Sequence, residues 1–506
     1  MPFSYIMVCN CRKVSMSLKL VPFIILSMLT VSVVSAQKVR GPLVTVQRIE
    51  EEPQLDLNQL SRRDHIHDTN YLVVNKIIVT GNKKTKTSII LRELGLNPGD
   101  TLYAGDLNAY LEEKRQQLLN TSLFLTVHIY SVNTSVHRVD LHVEVFERLY
   151  FLVIPMLSLA DRNFNVWWVQ EHRRLDRLNY GIQLYENNLT GKNDRLQLSL
   201  QHGYTRQYTL QYQLPYFDKN LTQGMGLIVS YSHNREVNYE SESDKQVYFK
   251  SDYFLKQQFT FGVNYTYKRA IRLRNKISLT YNVYKVQDTI LKRNPDFFPD
   301  NNTTQKYLEL SYNFDYVGAD IWTYPLNGFN INANLVRKGF GILGKVNETT
   351  ISADAAKYWT IFPATYGAVE FIGEMHFPEN QPYFLSQEMG YYNNYLRGME
   401  YFVLESDRFG ILRNTLKQKI LALRIHSRLL PKQFSTIPLQ IYLKMYGDLG
   451  YSYKKNPGSS FLDNELLYTY GAGADVVSFY DAVLRVEYSI NRLGEKGLFL
   501  HFKSTF

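Results

Sequence analysis

Taken two residues at a time, the stretch from 438 to 454 (PLQIYLKMYGDLGYSYK) sorts into two faces. Leu439, Ile441, Leu443, Met445, Gly447, Leu449, Tyr451 and Tyr453 share one; Gln440, Tyr442, Lys444, Tyr446, Asp448, Gly450, Ser452 and Lys454 share the other. Side chains alternate across a strand, so the spacing predicts a long strand with one oily and one wet side. Strands of soluble domains are usually about five or six residues. The same alternation returns at 195–201, 207–214 and 484–491, separated by a short turn at 215–220 and by longer polar stretches at 234–246 and 288–305. One short and one long connection per hairpin, with an oily outer face, suits a barrel wall between lipid and a water-filled lumen. About 360 residues at roughly 22 per strand and connection give about 14–18 strands, an even number being expected. A soluble β-sandwich would carry shorter strands and turn its polar face outward.

The period changes upstream. Residues 71–80 are rich in β-formers and end at Gly81-Asn82; 85–94 have helical spacing and stop at Gly95. A turn at 97–100 precedes a second helix over 104–120, and 123–132 and 136–146 alternate around Asn133-Thr134. The order β-α-α-β-β predicts a small domain over 71–148, with a three-stranded sheet covered by two helices. Residues 37–70 show no sustained period and read as a flexible periplasmic leader. Within it, the run from Asp64 through His65 and His67 to Asp68 offers metal-binding residue types but no ordered element to converge them. Residues 1–36 read as an export signal: Lys13 and Lys19, an apolar core over 20–34, and a small-residue cleavage site at Val34-Ser35-Ala36. An anchor helix is the alternative, although the core is short for spanning. Met16 is a second candidate start. The barrel would then occupy 149–506.

Composition narrows the class. The 506 residues include 39 tyrosines and 28 phenylalanines, and 14% are aromatic. Beyond the N-terminus no apolar run reaches the roughly 18–20 residues of a spanning helix, so a membrane reading has to be a barrel. The two cysteines, Cys9 and Cys11, precede the signal core, which excludes disulfides, thiolate catalysis and cysteine metal sites from the processed chain. The net charge of +10 is scattered along strands, suits anionic headgroups and forms no nucleic-acid stripe. No nucleophile elbow, catalytic set or ordered zinc spacing is present, so the expectation is a non-enzyme with no cofactor and no metal.

Two sets of residues carry a family resemblance. The first is Ile78-Val79-Thr80-Gly81-Asn82 with Thr85, Ile89-Ile90, Arg92-Glu93-Leu94, Gly99-Asp100 and residues 120–124 (NTSLF); it resembles a POTRA domain. The second is Leu396-Arg397-Gly398-Met399 in a long connection, about fifty residues before Asp448. It resembles the BamA/TamA-type assembly-factor and two-partner-transporter superfamily. The resemblance narrows the strand count to sixteen and implies an all-β transmembrane barrel with one N-terminal periplasmic α+β POTRA domain. It implies a loop folded into the lumen, with Arg397 donating a charge-assisted hydrogen bond to Asp448. Gly398 would allow the tight tip, and Leu396 and Met399, where the family has Val and an aromatic, would pack around it. Glu400 is a rival partner for Arg397. Counting back from Phe506 puts Phe502, Leu500 and Leu498 on the lipid-facing parity with Ser504 out of pattern, similar to the terminal signal of outer-membrane barrels.

The resemblance also implies a function. The chain would sit in the cell outer membrane and insert or translocate unfolded outer-membrane or secreted polypeptides, in contact with outer-membrane lipid, and accessory lipoproteins remain open as partners. The strand from Leu123 through Phe124 and Val127 would take clients by edge pairing. The seam between the first strand, near 149–159, and the last, 497–506, would open sideways, while the loop braces the far wall. A single POTRA domain is fewer than the main assembly factor carries, which points to a specialised relative. The alternatives are a two-partner-type secretion pore for one exported protein and a passive porin.

Overall fold

In the computed structural model of this chain, residues 44–48 and 71–503 are described, apart from 136, 219, 221, 271, 322–323, 392–393, 428–435 and 479–481. The signal at 1–36, the histidine run at 64–68, Ser504 and Phe506 lie outside the described residues. The described part of the leader is a short strand, β1 (Val44–Arg48). Residues 47–424 and 437–506 form one compact unit, and every contact below lies within it.

The N-terminal module runs β2 (Tyr71–Thr80), α1 (Thr87–Leu94), β3 (Thr101–Tyr103), α2 (Leu107–Asn120), β4 (Phe124–Ser135) and β5 (Arg138–Glu147). Its sheet has four strands, in the order β3-β2-β5-β4, rather than the expected three. The addition is β3, whose Thr101–Tyr103 pair antiparallel with Val73, Leu72 and Tyr71; three residues are too few to show a period. Asn133 and Thr134, read as the hairpin turn, instead continue β4. Helix α1 ends at Gly95 in the left-handed conformation, φ 62°, as its C-cap position favours. Ile89, Ile90, Leu94, Leu111 and Leu118 bury against Val139, Leu141, Val143 and Val145 of the central strand β5.

The barrel begins with β6 (Phe151–Leu159), β7 (Leu178–Asn187), β8 (Arg195–Gly203), β9 (Thr205–Leu214) and β10 (Gln223–Asn234). After a hairpin of β11 (Glu236–Glu242) and β12 (Lys245–Lys250) it resumes with β13 (Lys256–Ala270), β14 (Leu273–Val286), β15 (Thr304–Val317), β16 (Gly328–Lys338), β17 (Glu348–Phe362) and β18 (Thr365–Phe377). It finishes with β19 (Arg408–Ser427), β20 (Thr436–Tyr453), β21 (Leu466–Val477), β22 (Val483–Asn491) and β23 (Lys496–Lys503). From β6 each wall strand neighbours the next, β11 and β12 standing apart, and β23 pairs back to β6, so sixteen strands close. On β20 the two faces separate as the alternation requires: Leu443 and Met445 are 51% and 65% exposed, Lys444 and Asp448 4% and 1%. Two stretches read as polar connections are ordered. Residues 234–246 enter the β11–β12 ribbon, which turns at Ser243 and Asp244, both with positive φ. Residues 288–305 hold a short helix, α3 (Asp288–Arg293), whose Ile290 and Leu291 bury with Phe297, Phe298 and Tyr383. Neither shows an apolar stripe long enough to be read locally, because the only buried apolar side chain of 234–246 is Val237, and those of 288–305 come as two adjacent pairs, Ile290-Leu291 and Phe297-Phe298.

Module and barrel meet at the loop before α1. The Thr85 hydroxyl lies 2.8 Å from Tyr150 Oη and accepts from Asn188 Nδ2 at 2.8 Å, and all three residues are buried. Lys84 pairs with Glu186, and Lys86 N–H donates to Gly191 O at 3.0 Å. Glu147 accepts the amides of Lys84 and Thr85. Burial pushes its carboxyl up, but these bonds and the Thr85 hydroxyl outweigh it and hold the group below the usual carboxylate range. Thr85→Val should leave Tyr150 and Asn188 short of a buried partner and weaken this joint by about 1–3 kcal/mol, read as faster hydrogen exchange at 84–86 with the barrel unchanged.

Candidate functional site: the lumen latch and the barrel seam

The 378–407 connection folds inward and its tip is buried: Leu396 is 1% exposed, Arg397 8%, Met399 4% and Glu400 1%. Arg397 meets Asp448 on β20 through two parallel contacts, Nε donating to Oδ2 at 2.8 Å and Nη2 to Oδ1. Its remaining donors reach Thr415 Oγ1 at 2.9 Å and Asn414 O at 3.2 Å on β19, and the guanidinium lies 4.1 Å from the Tyr446 ring centroid. A buried ion pair is favourable only when its geometry is good and the spare donors are used; both conditions hold here.

Two glycines make the approach possible. Gly398 has φ +92°, and a Cβ there would sit 2.6 Å from Ser489 Cβ. A Cβ on Gly450 would fall 2.5 Å from Leu396 Cδ1, so the wall is thinned where the tip presses in. Leu396 and Met399 pack with Met389, Phe402, Leu404, Phe409, Ile411 and Leu467. Glu400 takes no part in binding Arg397. It accepts from Gly398 N–H at 2.7 Å and faces His501 Nε2 at 3.2 Å.

His501 lies on β23, and its ring stacks on Tyr395 with centroids 5.3 Å apart. The tip therefore grips a wall that runs from β19 to the last strand, not only the wall remote from the seam. Asn163 strengthens this link by donating to Glu400 O at 3.0 Å. None of Thr415, Tyr446, Asn163 and His501 was legible as a site residue, since each joins through a pairing distant in sequence.

The seam itself is unusual in two ways. Asn187 N–H donates to Tyr150 O and Ala160 N–H to Arg177 O, each at 2.9 Å, and the β6–β7 register between them has no break. In an antiparallel ladder the hydrogen-bonded positions alternate, so even-numbered residues of β6 bond to β7 and odd-numbered ones face β23. Pro155 is odd, and so β6 has no donor at its midpoint on the seam side. Beyond the end of β6, a side chain takes over: Asn165 Nδ2 donates to Leu498 O at 2.5 Å, and Leu500 N–H donates to Asn165 Oδ1 at 3.0 Å. One amide thus stands in for a missing stretch of strand. Leu498 and Phe502 point outward at 51% and 59% exposure and Leu500 is half-buried on the same parity. In the N-terminal module β4 is a sheet edge, but Leu123, Phe124 and Val127 point into the core at 2%, 0% and 1% exposure. The side chains that β4 presents are Leu125, Tyr130 and Val132; the register shifts beside Leu125.

Arg397→Ala and Asp448→Ala should each cost about 3–5 kcal/mol by leaving one buried charge alone. In a double-mutant cycle by denaturant unfolding the pair should cost less than their sum. Lys454→Ala, which breaks the more exposed contact to Glu405 at 2.8 Å, should cost about 1 kcal/mol or less.

Residues 72–148 match the POTRA family, described as a surface antigen variable number repeat. A comparison with curated proteins by sequence gave no match. Among solved structures, the chain is similar to BamA from Haemophilus ducreyi lacking POTRA domains 1–3, at TM-score 0.56 and 12% identity over 85% of this chain and 84% of that one. It is also similar to CdiB from Escherichia coli, at TM-score 0.52 and 12% identity over 85% and 75%. Residues 72–148 thus match a POTRA domain, and behind it the sixteen strands close into a barrel whose fold is similar to those of BamA and CdiB.

Proposed function

We propose that this protein sits in an outer membrane, with its POTRA domain in the periplasm, and passes unfolded polypeptides into or across that membrane through the β6–β23 seam. The observation that carries this reading is the proline at the seam. A barrel in lipid is held shut because every unpaired N–H and C=O there is costly. A seam strand with no donor at Pro155 has fewer bonds to break on opening. Once open, the edge of β23 offers the backbone groups that a client strand can pair with. Exchange of one set of backbone bonds for another needs no nucleotide.

The POTRA edge strand β4 supports the first step. Its named residues Leu123, Phe124 and Val127 hold the strand in place from the core side, so a client would engage the backbone edge and the exposed Leu125, Tyr130 and Val132. Backbone pairing accepts many sequences, which suits capture of varied clients. A second reading is a secretion pore for one exported partner.

Pro155→Ala restores a seam donor and should strengthen closure by about 1 kcal/mol, slowing client insertion into vesicles severalfold. Asn165→Ala removes the amide bridge to Leu498 and Leu500 and should act in the opposite direction. Equal insertion rates for both variants and wild type would overturn seam opening. On depletion, loss of many unrelated barrels supports general assembly, loss of one secreted protein supports the pore, and loss of small-solute uptake alone supports a porin.

A further inference from the structure

A second buried polar cluster lies apart from the latch, where the inbound limb of the 378–407 loop passes the wall. Glu374 and His376 alternate along β18 and so share its lumen face. Glu348 comes from β17, Lys338 from β16 and Glu388 from the loop. His376 is 4% exposed, Glu348 0% and Glu388 2%. The imidazole is oriented by Glu348, whose Oε1 accepts from Nδ1 at 2.8 Å, while Lys338 Nζ lies 2.7 Å from Glu348 Oε2.

The other ring nitrogen is the informative one. Nε2 of His376 faces two carboxylates, 3.1 Å from Glu374 Oε1 and 3.3 Å from Glu388 Oε1, and Glu388 Oε2 is buried without a hydrogen-bond partner. Buried polar atoms almost always have one. Glu348, His376 and Glu388 each offer a ligand atom within 4.8 Å of the others. Ligand atoms about 2.0–2.2 Å from a tetrahedral zinc lie about 3.3–3.5 Å from each other. A histidine whose second nitrogen is held by a carboxylate is the usual supporting arrangement for a metal ligand.

Charge points the same way. Glu348, Glu374 and Glu388 face one lysine and one histidine, so acidic groups outnumber basic ones in the site. A divalent cation on neutral His376 brings the cluster nearer balance than a proton does. A further grouping of this kind among the described residues, Glu400, Glu487 and His501, differs: the Gly398 amide bonds to Glu400, and Lys444 lies 2.7 Å from Glu487.

We infer that His376 and Glu388, beside Glu374 and oriented by Glu348, form a binding site for a divalent transition metal of the zinc type, which clips the lumen loop to the wall at β18. The inference does not depend on the proposed insertion activity. Neither sequence spacing nor an ordered histidine cluster announces the site, because Glu388 comes from a different element than the other ligands.

The test uses the full chain, folded in detergent, stripped with EDTA and then given zinc or cobalt alone. After removal of free metal, wild type should keep one equivalent of zinc, give the absorption bands of tetrahedral cobalt, and show nitrogen and oxygen but no sulfur at about 2.0–2.1 Å by X-ray absorption. His376→Gln and Glu388→Gln should each weaken binding more than tenfold, and Glu348→Gln by about 10–100-fold, with β-sheet circular dichroism unchanged. If wild type holds no stoichiometric metal, or shows sulfur ligation, the site is overturned without recourse to variants. Undiminished binding in His376→Gln would place the metal elsewhere, with His65 and His67 the first place to look, and would also overturn it.

Discussion

A cation buried in the lumen holds this architecture to one arrangement. Arg397 and Asp448 are both taken out of water, which is costly for each charge alone. The cost is offset because the guanidinium meets the carboxylate along two parallel lines and spends its remaining donors on Thr415 and Asn414. A loop of this length would otherwise sample many conformations. Here its tip is fixed by charge, by the Leu396 contact with Gly450, and by the reversal at Gly398. Without the pair, the tip would keep its apolar packing but lose the contact that fixes it to β20.

The wall that receives the tip and the seam that closes the barrel are built differently. Between β20 and β22 the strands keep full ladders, and Lys444 joins Asp475 at 2.5 Å and Glu487 at 2.7 Å across the lumen face. At the seam a proline withholds a donor, and an asparagine side chain supplies part of what backbone would have supplied. The sheet is firm where the loop anchors and lean where its two ends meet. Glu400 and Asn163 connect these regions, since the same tip that grips Asp448 touches both the last strand and the segment after the first.

The long connections close over the same end of the lumen. Buried Arg177 bridges Asp161 at 2.6 Å and Glu236 at 2.5 Å, tying the segment after β6 to the β11–β12 ribbon. Arg162 donates to the carbonyls of Gly390 and Phe402 in the lumen loop, and Asp244 accepts the amides of Phe461 and Leu462. These are mostly side-chain to backbone contacts, and that makes a cover of irregular segments in which buried amides and carbonyls find partners.

Alternation by twos was enough to establish the barrel, its lipid-facing parity on β20 and the wet face that carries Asp448, because a strand's side-chain direction is fixed by local geometry. Helical spacing likewise established α1 and α2. The short β3, the β11–β12 ribbon and α3 were not legible, since each buries too little to imprint a period. The partner of Arg397 was named through a family resemblance and not through spacing, and Glu400, also a candidate, turned out to serve His501. The significance of Pro155 depended on which of two neighbours its nitrogen faces, and the convergence of Glu348, His376 and Glu388 on strands and a loop far apart in the chain. Facing and convergence are set by register and closure, and only the folded barrel decides those.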